Sequence, residues 1–253
     1  MNSNVEYAKE ALQVVLKIAS GMLSSGAEIE RVEDSVERMC QSFGAAKTEV
    51  FAVTYMILVT ISGDGYDGIT QIKRVKSFDR NMQRLSELNA LSRRICEEKM
   101  APEEANAIYG KIEGKRLYGL PKRMFIYALI SAAFSIFFGG NVYDFILAGV
   151  VGALAAPCDV LLGKMELNRF FHIFLCAIYC GILANIGGYI WDVITPELVS
   201  IGNIMIFIPG VIFTCSLQEL FAGNMLSGLT RFAEAAMISL VIATGFALVN
   251  VLL

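Results

Sequence analysis

The strongest constraint in this sequence is the apolar character of its second half. Residues 124–253 hold only 3 of the 21 lysines and arginines and 7 of the 24 aspartates and glutamates. The whole chain is 55% hydrophobic, with a mean hydropathy of +0.57, which is too apolar for an ordinary soluble domain. A helix rises about 1.5 Å per residue, so about 20 apolar residues cross a bilayer. We therefore expect an α-helical membrane protein.

Five transmembrane helices are predicted in this half, and Pro209-Gly210 interrupts the fourth. Proline removes a backbone donor and clashes with the preceding turn. In hydrocarbon, the freed backbone groups need partners from protein or water. Such a break favours a polar space at membrane depth, where transporters bind substrate, and a plain kink without a ligand remains the alternative. The predicted spans are residues 124–138, 145–162, 170–191, 199–217 and 232–253.

Basic residues in the loops predict the orientation. They precede the first span and lie between spans two and three and between spans four and five, whereas loops 139–144 and 191–198 contain none. Cytoplasmic loops carry the excess of Lys and Arg. We expect a cytoplasmic N-terminus, an external C-terminus and a place in the cell (inner) membrane, with no signal peptide at the start. An odd number of spans also predicts a second unit, or self-association, to enclose a path.

The charged first half predicts a small cytoplasmic α+β domain, residues 1–120, ahead of the five-helix transmembrane domain, residues 121–253. Its helices show apolar residues at helical spacing, and Ser25 with Glu28 has the pattern of a capping box. β-branched residues followed by a Gly-Asp-Gly turn predict a hairpin. The predicted helices are residues 6–23, 26–43, 79–100 and 102–114, and the predicted strands lie within 49–61 and 69–75.

The candidate substrate-binding residues are polar groups and backbone breaks at membrane depth: Asn185, Asn203, Pro209 and Gly210. A buried amide needs partners and offers both donors and acceptors. Carboxylates near the ends of the predicted spans are instead expected to lie at the membrane interface. These are Asp144, Asp159, Glu219 and Glu234.

The sequence offers little for metal or covalent chemistry. His172 is the only histidine, and two interpretations stay open for it, a buried or interfacial side chain and a proton relay. Cys176 and Cys180 share a helix face, where packing is favoured over a metal or redox role. We find no nucleotide-binding loop, HExxH, GxSxG or Ser/His/Asp pattern. We expect no metal, no cofactor, no catalytic residues and, given the balanced charge of the first half, no nucleic-acid partner.

With these residues in view, the sequence resembles the threonine/serine exporter family of bacterial membrane proteins. The most specific match is LSSGAEIERVEDSVERMCQSFG near the N-terminus; FGGNVYD and IPGVIFTCSLQELFAGNMLSGLTRFAEA follow in order. The resemblance implies export of small polar metabolites, driven by the proton gradient or by substrate. It implies a gate or interface formed by residues of the first match, which are Ser25, Gly26, Glu28, Arg31 and Glu33. Arg231 and Glu234 of the third match belong to the same gate or interface, with a cytoplasmic anchor as the alternative for these two.

Full-length members of that family join this module to a second, smaller hydrophobic module. The resemblance therefore implies that this chain is the larger subunit of the split, two-component type, whose relatives export dicarboxylates such as succinate with a small membrane partner subunit. Amino-acid and dicarboxylate substrates both stay open. A membrane-anchored enzyme or a sensor acting through the cytoplasmic domain is the alternative, with carboxylates supplied by Glu28, Glu33, Asp64 and Asp67.

Overall fold

The computed structural model describes residues 2–75, 81–115, 118–165 and 167–252. They are mostly helical, with one three-stranded sheet. They divide into two compact units. The first contains Met1–Lys115 and Cys215–Arg231, and the second contains Arg116–Thr214 and Phe232–Leu253. The predicted boundary at residue 120 between a cytoplasmic and a membrane domain stays a prediction.

The first unit begins with two helices, α1 (Asn2–Ser24) and α2 (Ile29–Ser42). Apolar residues recur every three or four positions along α1, so one face is buried over most of its length. Leu12, Ile18 and Met22 have almost no exposed surface. Full burial of such a side chain stabilises a fold by about 1.5–3 kcal/mol, which makes α1 the centre of this core.

The three strands are β1 (Lys47–Val53), β2 (Met56–Gly63) and β3 (Tyr66–Arg74). They pair antiparallel in the order β1-β2-β3. Gly65 takes a φ of 83° in the β2–β3 turn, a conformation that glycine adopts without steric cost. The predicted hairpin is confirmed, and the predicted 49–61 run contains parts of two strands.

Two further helices complete the first core, α3 (Met82–Glu98) and α4 (Pro102–Glu113). The side chain of Asn81 caps α3 by accepting from the amide of Arg84 at 2.9 Å. Both helices pack on α1. Residues 79 and 80, which the sequence placed at the start of this helix, lie outside the described residues, as does residue 253 at the end of the fifth predicted span.

The predicted capping box at Ser25 and Glu28 is wrong. Glu28 itself is the N-cap of α2, and its side chain makes no capping bond to the described backbone. The chain turns at Gly26, whose φ is 104°, and this turn leaves the Ser25 hydroxyl to donate to the Gly21 carbonyl at the end of α1. The amide of Ile29 is capped from a distant part of the sequence, as described below.

The remaining helices are α5 (Leu120–Phe137), α6 (Val142–Gly163), α7 (Arg169–Ile190), α8 (Pro196–Ile204), α9 (Gly210–Phe221) and α10 (Met225–Leu252). Four of them, α5, α6, α7 and α10, are long and apolar enough to cross a membrane. In an apolar stretch of 18 residues within each of these helices, only 17% to 33% of the residues are buried. Helices that are apolar on their exposed faces need a lipid surrounding. The chain is therefore a multi-pass membrane protein.

The described residues do not confirm a count of five spanning helices. The fourth predicted span, residues 199–217, consists of parts of two short helices, α8 and α9. The helix stops because Pro209 has no amide hydrogen and its ring would clash with the preceding turn. The break that the sequence predicted at this position is thus complete enough to separate two helices.

Small residues let α5, α6 and α8 approach closely in the second unit. A methyl group on Gly202 of α8 would lie 2.4 Å from the Ser131 carbonyl oxygen, and one on Gly152 of α6 would lie 2.4 Å from the Ser131 hydroxyl. Membrane helices associate through this kind of backbone contact, because lipid removes the hydrophobic driving force. We call Ser131, Ser135, Gly152 and Gly202 the small-residue seam.

Asp144 was expected at the membrane interface, and the structure instead buries it completely. Its carboxylate accepts from the Asn141 amide at 2.9 Å and from the Thr195 amide at 2.7 Å. Asn141 in turn caps α6 by accepting from the Tyr143 and Asp144 amides. The segment FGGNVYD therefore joins the start of α6 to the loop before α8, and two backbone donors satisfy the buried charge.

Candidate functional site

The break between α8 and α9 interrupts the backbone hydrogen bonds of an apolar segment. The amides of Phe207 and Ile208 still bond back to the Ile204 carbonyl, at 2.9 and 3.2 Å. The amide of Gly210 bonds to the Ile208 carbonyl at 2.9 Å. The carbonyls of Met205, Ile206 and Phe207 accept no hydrogen bond from a backbone amide in the described part of the second unit.

A cavity of about 250 Å³ lies beside this break. A methyl group on Gly210 would meet no atom within 4 Å, so the backbone faces open space there. The cavity is smaller than the pockets of about 300–1,000 Å³ that hold drug-sized ligands, which suits a small solute. Its walls are apolar apart from one hydroxyl, and its lining residues are Ile208, Pro209, Gly210, Phe213, Phe232, Ala235, Ala236 and Ser239.

The two asparagines predicted to bind substrate do not line this cavity. Asn203 is fully buried and accepts from the Ser131 hydroxyl at 3.0 Å, which ties α8 to α5. Asn185 donates to the Asn250 side chain at 3.2 Å, which ties α7 to α10. The predicted set therefore separates into a cavity lined by Pro209 and Gly210 and two helix-to-helix contacts made by asparagines.

A second cluster of polar contacts lies in the first unit. We define the polar junction as residues 25–29 together with Glu219 and Arg231. Glu219 is 2% exposed, and its carboxylate accepts from the Ile29 amide at 2.9 Å and from Asn224 Nδ2 at 2.9 Å. Arg231, 5% exposed, donates to the Ala27 carbonyl at 3.1 Å and lies 3.8 Å from Glu219. Because a buried charge is costly without partners, these contacts fix the turn between α1 and α2.

Further bonds extend the polar junction to neighbouring elements of the first unit. Ser25 is fully buried, and its hydroxyl accepts from Arg84 Nε at 2.8 Å. The amide of Thr54, between β1 and β2, donates to the Ser227 hydroxyl at 3.2 Å. The N-terminal and C-terminal sequence motifs, nearly 200 positions apart, thus meet in one cluster.

Three other predicted gate residues lie in or beside the polar junction, and their side chains make none of its hydrogen bonds among the described residues. Glu28 and Arg31 are exposed. Glu33 accepts from the Ala52 amide at 2.8 Å. Burial raises the pKa of Glu33 above its ordinary 4.5, nearby Glu219 and Glu30 raise it further, and the bond from Ala52 opposes them.

Arg231 and Glu234 do not pair with each other among the described residues. Glu234 forms its ion pair with Arg169 in the second unit, whereas Arg231 pairs with Glu219 in the first. Glu219 was expected at the membrane interface and was therefore not among the predicted functional residues. The sequence offered one indication of a special role: Glu219 is the only acidic residue between positions 198 and 233.

Comparison with known proteins places these features in a family. The model of the family described as putative threonine/serine exporter matches residues 13–253. The chain is 23% identical over 244 residues to the threonine/serine exporter of Corynebacterium glutamicum, a match that covers 94% of this chain and 50% of that protein. It is 22% identical over 243 residues to the probable threonine/serine exporter of Mycobacterium tuberculosis (strain ATCC 25618 / H37Rv), covering 94% and 45%.

The chain thus spans about half the length of the curated relatives it matches. No solved structure matches it significantly. The family match nevertheless covers most of the chain, including all three sequence motifs and the break at Pro209. This chain therefore belongs to the threonine/serine exporter family of membrane transporters.

Proposed function

We propose that this chain exports small polar metabolites across the cell membrane, with threonine and serine as its first candidate substrates. The observation that carries the proposal is the broken helix with its adjoining cavity in an otherwise apolar unit. Discontinuous helices of this kind hold substrates in many transporters. The names of the two relatives support the substrate class, and membership in a transporter family is consistent with a protein that is not an enzyme.

The ends of the broken helix suit a zwitterion. A helix carries about half a positive charge at its N-terminus and about half a negative charge at its C-terminus. The carbonyls just after α8, which belong to residues next to those that line the cavity, would accept from an ammonium group, and the amides that follow Gly210 in α9 would face a carboxylate. A dicarboxylate offers no ammonium group to these carbonyls. We therefore favour an amino acid over succinate, which stays the second candidate.

We also propose roles for individual residues and a partner for the chain. Pro209 and Gly210 contact the substrate, while Asn185 and Asn203 hold the helices around its path. The polar junction, with Ser25, Gly26 and Arg231, acts as a gate or interface at a cytoplasmic mouth, which requires a cytoplasmic N-terminus. A small membrane partner subunit or a second copy of this chain completes the path, as in transporters built from repeated units.

Right-side-out vesicles from cells producing the full chain test export, because any partner from the host membrane is then present. The vesicles are loaded with labelled threonine, serine or succinate, and efflux is compared with that from vesicles lacking the chain. Faster efflux of threonine and serine supports the proposal. Succinate efflux alone overturns the amino-acid assignment, and no excess efflux of any of the three overturns export of this substrate class. Purified chain in proteoliposomes then shows whether a partner is required.

A paired substitution tests whether the cavity beside the break is the path. Gly210→Leu fills the cavity, because the glycine faces open space, and we expect efflux to fall at least about tenfold, since closing an occupied site removes binding free energy on the order of 1.4 kcal/mol or more. Gly110→Leu is the matched control, since Gly110 of α4 also has no atom within 4 Å of an added methyl. Equal efflux in both variants, at equal amounts of folded protein, would remove the cavity from the path.

A further inference from the structure

Three side chains with metal-binding atoms converge between α6 and α7 in the second unit. Asp159 lies near the end of α6, and His172 and Cys176 lie four residues apart on α7, which places both on one helix face. One carboxylate oxygen, one imidazole nitrogen and the thiol sulfur all lie within 4.8 Å of one another. Nε2 of His172 lies 3.0 Å from Oδ1 of Asp159.

The other carboxylate oxygen of Asp159 is held by α5. Its Oδ2 accepts from Arg123 Nη2 at 2.5 Å and from the Tyr127 hydroxyl at 3.1 Å. These bonds fix the carboxylate so that Oδ1 faces His172. Carboxylates that bind metals are commonly oriented through such hydrogen bonds to the oxygen that does not bind.

The imidazole of His172 provides an independent sign of a missing partner. Its Nε2 is buried and makes no hydrogen bond with the described residues, although Oδ1 of Asp159 lies 3.0 Å from it. Leaving a buried polar nitrogen unpaired costs about 1–3 kcal/mol. An ion bound between the two groups would satisfy both the nitrogen and the carboxylate oxygen.

We propose that Asp159, His172 and Cys176 bind a divalent transition-metal ion, with Zn²⁺ as the best fit. Zinc takes oxygen, nitrogen and sulfur ligands at about 2.0–2.3 Å in a tetrahedron, so its ligand atoms lie about 3.3–3.7 Å apart. The three atoms here lie within 4.8 Å of one another, so binding would draw them closer by about 1 Å. Mg²⁺ and Ca²⁺ are disfavoured, since they take oxygen ligands.

The site leaves one coordination position open. Water fills it, or the thiol of Cys158, the neighbour of Asp159 on α6. The side chains of Asp159 and His172 are 19% and 21% exposed, so an ion can enter from the surface. A thiol loses its proton on binding zinc, and this thiolate with the aspartate offsets most of the combined charge of the ion and of Arg123. The bound ion would join α6 to α7.

Cobalt substitution tests the site directly, because Co²⁺ occupies zinc sites and reports its ligands by absorption. The full chain is purified with a tag that contains no histidine, so His172 is the only imidazole present. We expect one Co²⁺ per chain, a near-ultraviolet thiolate-to-cobalt band and the visible bands of a tetrahedral ion, all displaced by Zn²⁺. Cys176→Ser should lose the thiolate band, and His172→Gln should bind at least about tenfold more weakly.

Matched controls separate ligation from damage to the fold. Cys96→Ser, a thiol in the first unit, should keep every band. Tyr127→Phe keeps all three ligands and should weaken binding about 10- to 100-fold, as loss of a supporting hydrogen bond does. Zn²⁺ should raise the Tm of the wild-type chain and leave that of Cys176→Ser unchanged, because only a bound ion stabilises the folded state.

Two results of the cobalt experiment would overturn the proposal. A wild-type chain with no thiolate-to-cobalt band has no such site, and a band that persists in Cys176→Ser belongs to another thiol. Should the Cys176 variant not fold, alkylation of the wild-type protein decides instead. Zn²⁺ should then protect Cys176 but not Cys96, and equal labelling of Cys176 with and without the ion contradicts the site.

Discussion

The polar junction and the small-residue seam are both buried, yet opposite physical means hold them together. In the junction, Glu219 and Arg231 are charged and almost without exposed surface, and backbone groups of the turn at residues 25–29 complete their hydrogen bonds. In the seam, Gly152 and Gly202 bring backbones into contact with no charge at all.

The two regions are held together by different kinds of interaction. Lipid offers no hydrophobic driving force between helices, so the seam relies on close van der Waals contact. The junction joins residues that are far apart in the sequence within the first unit. Its charge-assisted hydrogen bonds are directional, so they specify one arrangement of these residues. The junction should therefore fail when a charge is removed, and the seam should fail when volume is added.

The largest effect is expected from Glu219→Ala. It leaves Arg231 buried without a carboxylate and removes the acceptor for the Ile29 amide, which should cost about 3–5 kcal/mol in the free energy of unfolding. Glu234→Ala is the matched control, because its partner Arg169 is 44% exposed and can return to solvent at a cost of about 1 kcal/mol or less. Denaturant unfolding in detergent measures both.

A double substitution sharpens this test. Glu219→Met with Arg231→Met removes both charges, so it should be more stable than Glu219→Ala alone, because no buried charge is left uncompensated. Equal losses for Glu219→Ala and Glu234→Ala would mean that the junction is an ordinary surface contact, and the contrast between the two regions would not hold.

A smaller effect is expected from adding one methyl group to the seam. Gly202→Ala would place its methyl 2.4 Å from the Ser131 carbonyl oxygen, which forces α8 and α5 apart and should cost about 1–3 kcal/mol. Gly210→Ala is the matched control, since the same methyl meets open space there. Thermal unfolding of the purified chain compares them, and an undiminished Tm for Gly202→Ala would show that the seam can relax.

The smallest effect concerns Glu33, at the edge of the polar junction. Burial raises its pKa in the folded protein above 4.5, so the folded state keeps this proton at pH values where the unfolded chain has lost it. Its contribution to stability is thus complete below pH 4.5 and is lost as pH rises through the raised pKa. Glu33→Gln should flatten this part of the stability profile.

Urea unfolding at several pH values above and below 4.5 measures the profile. Glu37→Gln, on the exposed face of the same helix, controls for the loss of one negative charge. A Glu33→Gln profile that still declines like that of the wild type would assign the decline to another group.

Local chemistry made part of this protein predictable. The break before α9 followed from Pro209, because a proline lacks an amide hydrogen in any fold. The membrane assignment followed from composition, and the hairpin from its turn and its alternating strands. The count of five spans was not confirmed, because the sequence showed where the helix breaks but not that its two halves are separate short helices.

The candidate sites were less predictable, because each depends on which helices become neighbours. The carboxylate of Glu219 accepts from the first amide of α2, 190 positions away. The buried carboxylate of Asp144 accepts from the Thr195 amide, 51 positions away. Asn203, assigned from sequence to substrate, instead bonds to Ser131. A sequence without aligned relatives shows which residue types can make such contacts. It does not show which two residues meet in the folded protein.

The sequence by itself determined the lipid-soluble half, the position of its backbone break and the presence of a small sheet, since each follows from a residue's own covalent structure or from its near neighbours. Only the tertiary structure decided which charges are buried together in the polar junction and which ligand atoms meet between α6 and α7. Hydrogen bonds and metal coordination act over about 3 Å, and no spacing along the chain specifies a distance that short between remote helices.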